Sequence, residues 1–231
     1  MLNDIILIIF FYAIFAYSVI IHEVAHGYMA LLLGDPTAKY AGRLTANPLK
    51  HIDPFLTVIL PLVMIFTLGI AFGGAKPVPY NPYNLRNQKW GPTWVALAGP
   101  ASNIIIVIFF TILAKLVSLP TALKVDIINN LRQADWSALA TVVQGSPATI
   151  LFTICTMAIF WNVLIAIFNL IPFPPLDGSK LLFALLPIKM EIVAILEQYG
   201  FILLFVFVFL FVGPLSLLLN FFWQLFFTLS L

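Results

Sequence analysis

Charge is scarce in this 231-residue chain: 9% of its residues are Asp, Glu, Lys or Arg, against about 25% in an ordinary soluble domain. Eleven basic and nine acidic side chains leave a scattered net charge of +2, which excludes a nucleic-acid-binding surface. Cysteine is nearly absent. The one residue, Cys155, sits in an apolar run, so neither an internal disulfide nor a cysteine-built zinc cluster is possible. No internal repeat, low-complexity tract or long linker divides the chain, and it reads as one membrane-embedded domain, 1–231. The N-terminus shows no basic n-region and no small-residue cleavage site, so the first apolar run reads as retained.

What the chain has in abundance is apolar length. Hydrophobic residues make up 62% and the mean hydropathy is +1.08. A helix crossing a bilayer needs about 20 mostly apolar residues. Runs at 5–33, 54–72, 93–118, 148–170 and 200–230 qualify. Gly213-Pro214 is expected to kink or split the last. The fold expected is all-α and polytopic, with about five to six transmembrane or re-entrant helices, a broken helix and an extended loop at the active site.

Inside the first run stands I-H-E-V-A-H-G-Y, residues 21–28. Ionisable groups at bilayer depth are costly and mark function. His22 and His26, four apart, project from one helix face, and two imidazoles so placed can reach one zinc at about 2.0–2.1 Å. Glu23 lies beside them without being needed as a ligand. This is the H-E-x-x-H pattern of metalloproteases, with glutamate as general base. With three His and three Glu in the chain, chance produces the pattern roughly once in two thousand such sequences.

A catalytic zinc commonly takes three protein ligands. His51 lies in a polar connection between Lys50 and Asp53, and Asp4 and Glu191 lie near segment ends. Asp177 differs, because it stands in N-L-I-P-F-P-P-L-D-G, 169–178. Pro172, Pro174 and Pro175 stop a helix there. Irregular backbone at membrane depth is tolerated only when buried in protein or lining a wet cavity. A simple interfacial turn bearing a solvated aspartate is the competing reading.

Taken together, these residues resemble the site-2 protease family of intramembrane zinc proteases. His22, Glu23 and His26 match its first motif; Asn169, Pro172, Pro174, Leu176, Asp177 and Gly178 match its Asn-Pro…Leu-Asp-Gly motif. G-D-P-T-A-K at 34–39, G-G-A-K-P-V-P-Y-N-P-Y-N at 73–84 and A-G-P-A-S-N at 98–103 resemble a small prokaryotic branch without PDZ or CBS domains. The resemblance implies that Asp177 is the third ligand of one zinc per chain and that Glu23 activates water. It implies hydrolysis of a peptide bond in or near the membrane span of a single-span membrane-protein substrate. Asn169 and Asn103 are candidate hydrogen-bond donors to that substrate or its oxyanion, or else pins between helices.

Basic residues orient the chain. Lys39, Arg43 and Lys50 in 34–53, and Lys76, Arg86 and Lys89 in 73–92, place both segments on the cytoplasmic side of the cell membrane. The N-terminus is then outside, 119–147 is an outside connection, and 171–198 is inside. His22 and His26 fall about 5–10 Å to the cytoplasmic side of the helix midpoint. With 34–53 and 73–92 on one side, either 54–72 is re-entrant or 73–84 returns through the protein as extended chain. An extended stretch there could pair with a substrate strand. The aromatic-rich 200–230 helix can face lipid or another subunit, which leaves oligomerisation open. The rival function is an intramembrane zinc or proton transport site, which explains the histidines and Asp177 but gives Glu23 no task.

Overall fold

The computed structural model describes residues 2–53, 59, 76–143, 146–186 and 188–231. Among them the chain is helical, with no strand. Four helices are long and apolar enough to cross a membrane: Asn3–Leu32, Gly91–Leu116, Pro147–Asn169 and Gly200–Ser230. They coincide with four of the five apolar runs. The fifth, 54–72, falls outside the described residues apart from Ile59.

In chain order the helices are α1 (Leu2–Leu32), the single turn α2 (Thr37–Tyr40), α3 (Gly91–Leu116), α4 (Thr121–Arg132), α5 (Trp136–Val143), α6 (Pro147–Asn169), α7 (Gly178–Leu185), α8 (Met190–Gln198) and α9 (Gly200–Ser230). Local chemistry sets the ends that matter for the site. α6 starts on a reciprocal cap: Thr149 N donates to Ser146 Oγ, and Ser146 N to Thr149 Oγ1, both at 3.2 Å, with Pro147 in the first turn. It stops at Asn169, before Pro172, and irregular chain leads to α7 at Gly178. The helix is broken where the prolines require.

The Gly213-Pro214 pair kinks α9 rather than dividing it. The distortion falls at Phe211 (φ −112°, ψ 19°), inside a helix that continues to Ser230. Pro214 has no N–H for the carbonyl of Leu210, four residues back, so the strain appears in the preceding turn.

α6 is the centre of the bundle. Some 61% of its apolar window is buried, against 6% for α9. Phe152, Ile159 and Val163 of α6 pack with Phe11 of α1 and Val107 of α3 in one core. Two indoles lock neighbours onto it: Trp161 Nε1 donates to Phe11 O (2.9 Å), and Trp223 Nε1 to Phe160 O (3.0 Å). Within the connection 119–147, α4 and α5 fold against this core. α4 and α5 bury Ile127, Ile128, Leu131 and Leu139 in it. Residues 76–81 are non-helical and lead to a 3-10 turn at Pro82–Asn84, so the described part of the expected extended loop is irregular chain.

Candidate active site

α1 sets His22 and His26 one turn apart on the face toward α3 and the broken end of α6. Their ring centroids lie 4.6 Å apart. Asp177, at the start of α7, brings its carboxylate to both: Oδ2 is 3.1 Å from His22 Nε2 and 3.3 Å from His26 Nε2. The three donor atoms lie within 4.8 Å of one another. His22 and Asp177 are 155 positions apart in sequence, and the proline break delivers the third residue. Gly178 makes that break tight enough. A Cβ there would lie 2.3 Å from the carbonyl oxygen of Leu170 and 2.5 Å from that of Ile171.

The outer nitrogens of the two rings decide what the inner ones offer. Asn103, fully buried in α3, donates from Nδ2 to Ser18 O (3.2 Å) and to Asn162 Oδ1 (2.7 Å). Its oxygen therefore faces His22 Nδ1 at 2.6 Å, which must be the donor. His26 Nδ1 faces the carbonyl of Val95 at 2.7 Å and donates likewise. In the neutral rings both Nε2 atoms then carry lone pairs, and both point at a carboxylate oxygen. Three acceptors converging on one point fit a cation. Two imidazoles and a carboxylate are a zinc donor set.

Glu23 stands beside this set on the same helix, half-buried. Its Oε2 accepts from the backbone N–H of Val78 at 2.9 Å. That N–H is presented by 76–81, which is held at several points. Asp35 Oδ2 accepts from Asn81 N (2.6 Å), Arg86 N donates to Leu33 O (2.9 Å), and Lys76 N donates to His51 O (2.9 Å).

The sequence-derived candidates thus part company. His22, His26 and Asp177 come together, with Glu23 at their side. Asn103 sits behind His22 with both amide hydrogens engaged, so in this arrangement it orients a ligand and has no hydrogen left for a substrate. Asn169 Nδ2 donates to Ile165 O of its own helix at 3.0 Å, which leaves one amide hydrogen over. His51 is buried elsewhere, with Nε2 2.9 Å from Thr45 O and Nδ1 3.5 Å from Arg43 Nη2. Three residues of the site were not singled out from sequence. Asn162 and Ser18 complete the network behind His22, since Asn162 Nδ2 also donates to Ser18 Oγ (2.8 Å). Their signal was a polar side chain inside an apolar run. Gly99 is the third: a Cβ on it would meet His26 Cε1 at 2.4 Å and His22 Cε1 at 2.7 Å, so α3 can approach the rings only as glycine.

Residues 10–211 match the model of Peptidase family M50. The chain belongs to Peptidase family M50. With that membership it is a membrane zinc metalloprotease, and the site-2 protease resemblance of its motifs is borne out. Among M50 relatives, the chain is 34% identical over 201 residues to YwhC, named a candidate zinc metalloprotease, of Bacillus subtilis (strain 168), covering 86% of this chain and 78% of that one. It is 28% identical over 190 residues to the similarly named Rip2 of Mycolicibacterium smegmatis, covering 82% of this chain and 62% of the relative. With Rip2 of Mycobacterium tuberculosis (strain H37Rv) it shares 28% over 198 residues, covering 85% and 64%. The chain therefore spans a little under two thirds of either Rip2. No solved structure matches it.

Proposed function

We propose that this M50 chain hydrolyses a peptide bond in or near the transmembrane segment of a single-span membrane protein, with one zinc held by His22, His26 and Asp177. One observation carries the reading: three lone-pair donors converge inside an apolar bundle, beside a carboxylate whose direction is fixed by a backbone N–H. Zinc held there would supply Lewis-acid polarisation of the scissile carbonyl and of a water. The remaining steps belong to the chain. Glu23, with Oε2 fixed by Val78, takes a proton from the attacking water at Oε1. It returns that proton to the leaving amine nitrogen as the C–N bond breaks. Asn103 and the carbonyl of Val95 hold the two imidazoles as Nδ1–H tautomers, so that both Nε2 atoms serve as ligands. The apolar walls of α1, α3 and α6 keep bulk water from the site, which strengthens each electrostatic contact within it. The substrate helix must unwind to expose its carbonyl. The irregular stretch 76–81 beside Glu23 has its N–H groups at Lys76, Val78 and Asn81 engaged, so it meets the unwound backbone through the carbonyls of 77–80. The basic loops support an N-terminus outside the cell membrane and a site displaced toward the cytoplasm.

The test is Glu23→Gln in purified, zinc-loaded protein incubated with labelled single-span substrates. Cleavage should fall by about 10²–10⁴-fold with metal content unchanged, and a chelator should abolish cleavage by the unmodified protein. Zinc flux into vesicles that survives Glu23→Gln, with no cleavage by either protein, would instead establish the transport reading.

A further inference from the structure

The α4–α5 hairpin carries polar side chains to a depth where lipid does not solvate them. Contacts along α6 give that depth. Lys124, early in α4, lies over the ring of Phe152 (5.2 Å) and donates to Ala114 O (3.2 Å) and Ser230 O (3.3 Å), near the C-terminal ends of α3 and α9. Eight residues on, Arg132 shares a recess with Phe160, which is eight residues beyond Phe152. Asn162, two further along α6, is bonded to Asn103 behind His22. At 1.5 Å per residue, the recess lies about 12 Å below the level of Lys124 and within about one turn of the His22 network.

The recess holds about 390 Å³ and is lined by Asn129, Arg132, Gln133, Phe160, Asn220 and Trp223. Its two aromatic rings stack at 4.6 Å and 8°, and the indole N–H is engaged by Phe160 O. What remains to meet an occupant is a guanidinium and three amides. Arg132 Nη2 donates to Asn220 Oδ1 (3.0 Å), and among the described residues it has no carboxylate partner. All four polar residues are exposed, beside α9, which is long and apolar enough to cross a membrane.

Three occupants are conceivable, and the charge and depth choose among them. A lipid phosphate sits about 15 Å or more from the bilayer centre, whereas the recess lies at Phe160, near the middle of the spanning helix α6. A second copy docked about a two-fold axis here would set Arg132 against Arg132. A carboxylate on a membrane-spanning helix matches both charge and depth, and its two oxygens suit the fork of a guanidinium. We propose that the recess docks a transmembrane helix of another membrane protein through one Asp or Glu near the middle of its span. Arg132 receives the carboxylate, Asn129 and Gln133 add donors, and the Phe160–Trp223 pair packs on the adjoining turn. This contact is separate from cleavage and does not depend on it.

The experiment uses full-length protein carrying Glu23→Gln, reconstituted in phosphatidylcholine vesicles, with a photo-crosslinking side chain at Leu217, an exposed residue one turn from Asn220. The probes are synthetic leucine-rich helices of about 20 residues, identical but for a central Glu, Gln or Leu. The Glu helix should be captured at least tenfold more than the Leu helix. Arg132→Gln should bring it down to the Leu level, and Arg132→Lys should recover part of it. Equal capture of the three helices, capture unchanged in Arg132→Gln, or crosslinks chiefly between copies of the chain would each overturn the proposal. The Glu–Leu contrast is read in protein with Arg132 intact, so it holds even if an Arg132 variant folds poorly.

Discussion

Two groups of polar side chains lie within about a turn of each other along α6, and the protein treats them in opposite ways. Ser18, His22, Asn103 and Asn162 are buried, and their polar atoms meet inside the bundle. Asn129, Arg132, Gln133 and Asn220 are exposed, and among the described residues the one side-chain hydrogen bond within the group joins Arg132 to Asn220. A fully satisfied buried network holds one geometry, because any rearrangement leaves a donor or acceptor unpaired in low dielectric. That is what a metal ligand needs behind it. A charged group at similar depth with donors to spare is instead completed from outside. The same residue types therefore do different work: in the inner group they orient a ring, and in the outer one they await a partner.

The largest effect should come from disturbing the inner group where it has no slack. Gly99→Ala would put a methyl within 2.4 Å of His26 and 2.7 Å of His22. Both rings must then move, and the network behind them cannot follow. We expect loss of bound zinc and a fall of about 10²-fold or more in turnover, since a ligand set displaced by about 1 Å no longer aligns the reacting groups. Gly213→Ala, where a Cβ meets nothing within 4 Å, should leave both unchanged. Metal analysis and cleavage of a labelled substrate compare the two variants; normal zinc in Gly99→Ala would show that α3 yields.

Removing an orienting partner should cost less than moving the ligands. Asn103→Ala leaves His22 Nδ1 without its 2.6 Å acceptor and leaves Asn162 Oδ1 without its 2.7 Å donor. Zinc affinity should weaken by about 10–100-fold in a protein that still folds, measured by competition with a chelator. Unchanged affinity would reduce the network to helix packing.

These sites differ in how plainly the sequence announces them. His22, Glu23 and His26 stand out because such residues are rare here and costly at that depth, and Asp177 because three prolines flag the break that presents it. The four apolar spans follow from length alone. Asn162 does not stand out, since one amide in an apolar run fits a network, a helix contact or an interface equally well. Gly99 is silent for another reason: the need for glycine lies in two rings 73 and 77 positions away. The α4–α5 hairpin was expected as an outside connection. Its apolar positions are interrupted by Lys124, Asp126, Asn129, Asn130 and Arg132, and burial against α6 depends on Phe152 and Ile159 being free to receive them.

The smallest effect on the metal should come from Asp35, where a satisfied buried group lies just beyond the C-terminal end of α1. Its carboxylate accepts from Thr37 N (3.2 Å), Thr37 Oγ1 (2.5 Å), Asn84 Nδ2 (2.9 Å) and Asn81 N (2.6 Å). Burial pushes the carboxyl up, but the bonds from Thr37, Asn84 and Asn81 outweigh it and hold the group below its ordinary 3.8. The folded state thus favours the ionised form. Its stabilisation is fully present well above pH 3.8 and fades as pH falls through the lowered folded value. Asp35→Asn turns an amide N–H₂ toward groups that are themselves donors, so it should cost about 1–3 kcal/mol at neutral pH. Zinc should stay bound, because residues 76–81, the strap beside Glu23, are still held through Val78, Lys76 and Arg86. Thermal unfolding at pH 7 and at about pH 3 checks this: the gap between variant and parent should narrow at the lower pH. An equal gap at both would mean that the charge of Asp35 contributes nothing beyond its hydrogen bonds. Loss of zinc in Asp35→Asn would mean that the strap, as well as the network behind His22, fixes the ligands.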